Sequence, residues 1–168
     1  RTAQGIRYCI NKKCDIINCS IAGPMDNDLE DAINEAYSKG IIVVAATGND
    51  GKNILLYPAS YLNCISVGSI NKSLEISLFS NYNVFMTMVA PGEDIIFDIN
   101  GEKIKDSGTS FSAPLVSGTL ALLKEKLKEE LGRKPKYSEL YDELIKNCVI
   151  INNVDNIKQG HGYLDFKL

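Results

Sequence analysis

Three observations predict an α/β fold: a doubly wound, mostly parallel sheet with helices on both faces. Ile41 to Ala46 is a continuous apolar run rich in β-branched residues, the mark of a strand covered on both sides. Asp15 to Ser20 is a second apolar run of strand length. Between them Leu29, Ala32, Ile33, Ala36 and Tyr37 recur at helical spacing, with Asp26 and Asn27 as caps and Gly40 as the stop. Strand, helix and strand joined this closely make a parallel unit with a right-handed crossover.

The remaining elements follow in order. Apolar residues at helical spacing over Gly5 to Ile10, ended by Asn11-Lys12-Lys13, predict a first helix. A long helix starts near Gly108-Thr109-Ser110, with Pro114 tolerated in the first turn or so because early N–H groups lack intrahelical partners. No charge falls between Thr109 and Lys124, so this helix reads as buried and closely packed around Gly118. Tyr137, Leu140, Tyr141, Leu144, Ile145 and Cys148 recur at three and four residues, an amphipathic helix that packs on the sheet.

At 168 residues the chain fits one domain, residues 1–168. Its net charge of −3, with both signs interspersed, excludes a nucleic-acid footprint and a membrane-surface patch. Lys124, Lys126 and Lys128 alternate with Glu125, Glu129 and Glu130 as a solvated helix face, and no apolar run approaches the length of a membrane span. The five cysteines are odd in number and form no Cys-x-x-Cys pair, which points to free thiols and a reducing, cytoplasmic setting. Asp94, Asp98 and Asp106 lack the spacing of a calcium loop, and no strand leads into a glycine-rich nucleotide loop, so no metal or cofactor is expected.

Two short stretches can carry chemistry. Ser110 stands where a helix begins, either as a simple cap or as a nucleophile held where free N–H groups and the helix dipole favour negative charge. Gly48-Asn49-Asp50-Gly51 follows the Ile41 to Ala46 strand, either as an ordinary turn or as a functional loop on the strands' C-terminal edge, where such sheets bind ligands.

Residues 108–118, Gly-Thr-Ser-Phe-Ser-Ala-Pro-Leu-Val-Ser-Gly, resemble the serine signature of subtilisin-like peptidases, with Leu115 in place of the histidine common after the proline. Gly48 to Gly51 resembles the family's G-N-[ED]-G segment, and Ser20-Ile21-Ala22-Gly23-Pro24 its S-L-G-G-P segment with Ala22 in place of a glycine. Tyr57-Pro58-Ala59, Cys64 to Gly68 and Phe79-Ser80-Asn81 are similar to further segments, read as a buried strand and its flanking loops without chemistry of their own. Ala90-Pro91-Gly92 resembles the family's turn ahead of a hairpin, here Ile95 to Ile104, and Gly160 to Asp165 its closing segment.

The resemblance implies a serine endopeptidase that hydrolyses polypeptides through an acyl-enzyme on Ser110, with Asn49 in the oxyanion hole. It implies that Ser20, Ile21, Ala22 and Gly23 pair with the substrate backbone, and that Ala46, Thr47 and Gly48 line an open, neutral pocket for the side chain before the scissile bond. Such an enzyme also needs a histidine base and an aspartate. The one histidine, His161, lies in the closing segment, which in the family packs away from the catalytic rim. The chain therefore corresponds to about the C-terminal two-thirds of such a domain, without its N-terminal strands, and is expected to be inactive alone. The strand Asp15 to Ser20 is then an open edge for the missing fragment or for a second copy in a homodimer. The alternative is a pseudoprotease that binds peptides, distinguished by whether Asp-Gly and His-Gly-Thr segments stand upstream.

Overall fold

The structure, a computed structural model, describes residues 1–165. Helix α1 (Thr2–Asn11) leads through a turn with Lys13 at φ 59° into β1 (Ile16–Cys19). Asp26 then caps α2 (Asn27–Ser38), its carboxylate accepting from the amides of Asp28 and Leu29 at 2.9 and 3.2 Å. Gly40, at φ 70°, turns the chain into β2 (Ile42–Ala46).

Strands β3 (Ile65–Ile70) and β4 (Met88–Pro91) extend the sheet in parallel, and the antiparallel hairpin β5 (Ile95–Ile99) and β6 (Glu102–Asp106) stands outside it. Helices α3 (Thr109–Leu131) and α4 (Tyr137–Lys146) follow, then β7 (Cys148–Val149), the one-turn α5 (Asn156–Gln159) and β8 (Tyr163–Leu164). The sheet order is β1-β2-β3-β4-β8-β7, parallel except for the β7 and β8 pairing. An α/β sheet of mostly parallel strands is thus what the sequence predicted.

The continuous apolar run of β2 now has its reason. Successive side chains of a strand point to opposite faces. Val43 and Ala45 join Ile6, Ile33 and Ala36 in the core under α1 and α2, whereas Ile42, Val44 and Ala46 join Val116, Leu120 and Leu123 in the core under α3. Both faces are covered, so both must be apolar.

Two expectations are corrected. The stretch Ala90-Pro91-Gly92 is not merely a turn: Ala90, with Met88 and Val89 before it, is fully buried in β4, a central strand between β3 and β8. The turn itself comes at Gly92, where an added Cβ would collide with Ser112 Oγ and stand 2.8 Å from the Gly108 carbonyl. Helix α3 is buried on one face only. Its other face leaves Leu115 and Leu122 about half exposed, at 46% and 55%, with open space beside Gly118.

Candidate active site

In a parallel sheet the loops leaving the C-terminal ends of the strands gather on one rim. Three of them meet the start of α3. From β1 comes Ser20, whose hydroxyl donates to the Ser110 carbonyl at 2.9 Å. That carbonyl is free because Pro114, four residues on, has no N–H to complete the helical bond. From β2 comes the loop Thr47 to Gly51, and from β4 comes Gly92, whose carbonyl accepts from the Gly108 amide at 2.7 Å. The Ser112 hydroxyl, donating to Ala90 O at 3.0 Å, fixes the first turn of α3 from below.

Ser110 is the second residue of α3 and half-buried, and its hydroxyl lies 3.5 Å from the Ser20 carbonyl. Asn49 is exposed, but its side chain is oriented. Asn49 Oδ1 accepts from the Thr109 amide at 2.9 Å and from the Thr109 hydroxyl at 2.8 Å, which turns Nδ2 the other way. A Cβ placed on Gly108 would stand 3.3 Å from Asn49 Nδ2 and 3.8 Å from the Ser110 amide nitrogen. The space beside Gly108 is therefore flanked by two donors, one a first-turn amide that an α-helix leaves without an intrahelical acceptor. Gly108 itself has an extended backbone, so the space, not its φ, is what a side chain would disturb.

The loop bearing Asn49 is clamped by Asn81. This fully buried amide accepts from the amides of Asp50 and Lys52 at 2.9 and 3.1 Å and donates to Asp50 Oδ2 at 2.9 Å. Gly48, at φ 97°, takes a conformation that side chains rarely adopt, and a Cβ there would lie 2.6 Å from Asn81 Nδ2. The Gly48 amide donates to Thr109 Oγ1 at 3.2 Å. Sequence reasoning missed both Thr109 and Asn81 as organisers. Thr109 adjoins the predicted serine and was a findable neighbour, but Asn81 acts from 31 residues away and has no local signal.

The model of the subtilase family matches residues 1–162. The chain belongs to the subtilase family. It is 40% identical over 168 residues to the major intracellular serine protease of Bacillus subtilis (strain 168), covering 96% of this chain and 52% of that protein. It is also 40% identical to the intracellular serine protease of Paenibacillus polymyxa, covering 96% of this chain and 51% of that one. Among solved structures, the prenylagaramide maturation protease PagA superposes with a TM-score of 0.88 at 32% identity, covering 97% of this chain and 63% of that chain. The chain thus spans about half the length of the curated relatives it matches.

The other predicted site residues are placed as follows. Ser20 to Gly23 form an extended segment on the rim, where Gly23 exchanges two 2.9 Å backbone bonds with Tyr57. Since alternate residues of an extended chain face opposite ways, the backbone groups of Ser20 and Ala22 face the side away from Tyr57. Ile21 and Ala22 are exposed. Ala46, Thr47 and Gly48 are all buried, Ala46 in the core under α3. His161 stands on the opposite edge of the sheet: its amide donates at 2.8 Å to the carbonyl of Thr87, the residue that enters β4, whereas Ser110 lies where the strands leave. Among the described residues no group of three or more His, Cys, Asp or Glu side chains is arranged to hold a metal ion.

Proposed function

We propose that this chain is the nucleophile-bearing part of a subtilisin-type serine endopeptidase acting on polypeptides. One observation carries the reading: Ser110 stands in the first turn of α3 beside a space flanked by Asn49 Nδ2 and the Ser110 amide. Ser110 Oγ attacks the scissile carbonyl, whose oxygen moves into that space as it gains charge. Fixed donors aimed at such an oxygen stabilise the transition state more than the ground state. The substrate's acyl side lies along Ser20 to Gly23, pairing with the outward backbone groups of Ser20 and Ala22. The serine-protease relatives support the same assignment.

The base is not within reach. His161 is the only histidine of the chain and lies at the far edge of the sheet. The general base and its aspartate are supplied by residues other than 1–168, and this chain is inactive without them. In subtilisin, a member of the same family, losing the histidine alone costs about 2 × 10⁶ in turnover, roughly 8–9 kcal/mol of barrier. The edge of β1, which among the described residues pairs only with β2, and the neighbouring apolar face of α3 around Leu115 and Leu122 are where the base-bearing segment docks. A second copy is the competing occupant of that edge.

Fluorophosphonate labelling tests the reading. The purified chain is expected to leave Ser110 unlabelled, and labelling is expected to appear when a subtilase fragment carrying the Asp and His segments is added. Rapid stoichiometric labelling of Ser110 in the chain alone would overturn the claim of inactivity. Sedimentation of a clean monomer at high concentration, unchanged by that fragment, would remove the docking edge.

A further inference from the structure

We propose that the pocket for the substrate side chain preceding the scissile bond is closed by Leu56 and Ala22, so that the enzyme accepts glycine, alanine or serine there and rejects large side chains. The proposal rests on the functional reading above and adds the substrate class. It starts from the position of the carbonyl under attack, next to Ser110 Oγ with its oxygen beside Gly108. Ser20 O lies 3.5 Å from Ser110 Oγ, so the residue contributing that carbonyl sits against Ser20. Its side chain then points into the cleft between the Ser20 to Ala22 segment and the Thr47 to Asn49 loop.

Gly48 forms the wall of this cleft, and the structure shows what stands in front of it. A Cβ built on Gly48 would meet Leu56 Cδ1 at 2.9 Å and Ala22 Cβ at 3.5 Å. Leu56 thus lays a methyl group over the very glycine that would otherwise leave depth, and the Ala22 methyl narrows the mouth from the other segment. Leu56 is held in place by its own backbone, since its carbonyl accepts from the Ser60 amide at 3.0 Å and the Ser60 hydroxyl at 2.8 Å. A benzyl or isobutyl group entering here must displace it, and forcing extra carbon into packed space is unfavourable.

Binding to the chain itself is the test, because it needs no base. Two N-acetylated tetrapeptide acids, identical except for a terminal alanine or phenylalanine, are titrated against the ¹⁵N-labelled chain while the amides of Ser20, Ala22, Gly48 and Asn49 are followed. The alanine peptide is expected to bind about tenfold or more tightly than the phenylalanine peptide. Leu56→Ala, and separately Ala22→Gly, are expected to bring the phenylalanine peptide level with alanine or ahead of it; melting curves show that each variant is folded. Wild-type chain that binds the phenylalanine peptide as tightly through the same amides would overturn the proposal, as would folded variants with an unchanged ranking. If neither peptide moves those amides, the Ser20 to Gly23 edge is not a substrate site, and the functional reading falls together with this inference.

Discussion

The Thr109 hydroxyl ties the start of α3 to the loop after β2, donating to Asn49 Oδ1 at 2.8 Å and accepting from the Gly48 amide at 3.2 Å. Thr109→Val keeps the shape but removes both bonds and leaves a buried amide unsatisfied. A loss of about 1–3 kcal/mol in stability is expected, measurable by denaturant unfolding of the chain, with Thr109→Ser retaining most of it. With the full triad present, Thr109→Val is expected to lower kcat and leave KM nearly unchanged, because it loosens Asn49 rather than the substrate edge.

Gly108→Ala separates folding from chemistry. The extended backbone of Gly108 suits alanine, so melting within a few degrees of wild type is expected. The new methyl, 3.3 Å from Asn49 Nδ2, occupies the space between the two donors. Turnover by the triad-complete protein is expected to fall by about 10² to 10³, the scale of losing one oxyanion donor. Unchanged peptide hydrolysis by this variant would show that the oxygen is stabilised elsewhere.

How much of this was legible in the sequence depended on how local the cause was. Helix α2 and strand β2 were readable because their cap, period and stop lie within the elements themselves, at Asp26, Leu29 to Ala36 and Gly40. Ser110 and Asn49 were singled out through short motifs. Strand β4 was read as a turn because Pro91 and Gly92 dominate a short stretch whose burial comes from β3 and β8. The exposed face of α3 was read as buried because apolar residues there look alike whether a neighbour covers them or not. Leu56 gave no signal, since its effect arises only where the chain folds it onto Gly48.

Asp15 anchors the first strand to the α3 and α4 side through Lys124 Nζ at 3.0 Å and Lys134 Nζ at 2.7 Å. The hydrogen bond from Lys134, followed by that from Lys124, holds its carboxyl below the usual value of 3.8. A depressed carboxyl stabilises the fold at pH values above its unfolded pKa, and that contribution is lost as pH falls through the folded one. Asp15→Asn is expected to cost about 0.5–1 kcal/mol at pH 7, discounted for partial exposure. The difference from wild type should vanish near pH 2 in urea unfolding curves.

The alkaline limb has a different origin. Burial raises the Cys19 and Cys148 thiols to about 11 and the Cys64 thiol well above its ordinary value of 9.0. A raised thiol keeps its proton in the fold while the unfolded chain gives it up, so stability is full below pH 9 and declines as pH rises through the folded values. Native chain at pH 8 should therefore leave Cys19 and Cys64 unmodified by iodoacetamide for as long as it stays folded, with all five cysteines modified in denaturant. Prompt alkylation of Cys64 in the native state would contradict its burial.

The seat of His161, across the sheet from Ser110, makes the chain a quiet background for spectroscopy. Its 168 residues contribute one imidazole, and that one reports the edge of the sheet remote from the serine. Any further imidazole resonance that emerges when a base-bearing polypeptide is added belongs to the newcomer. The arrival of a base beside Ser110 can thus be followed by proton NMR without labelling either component.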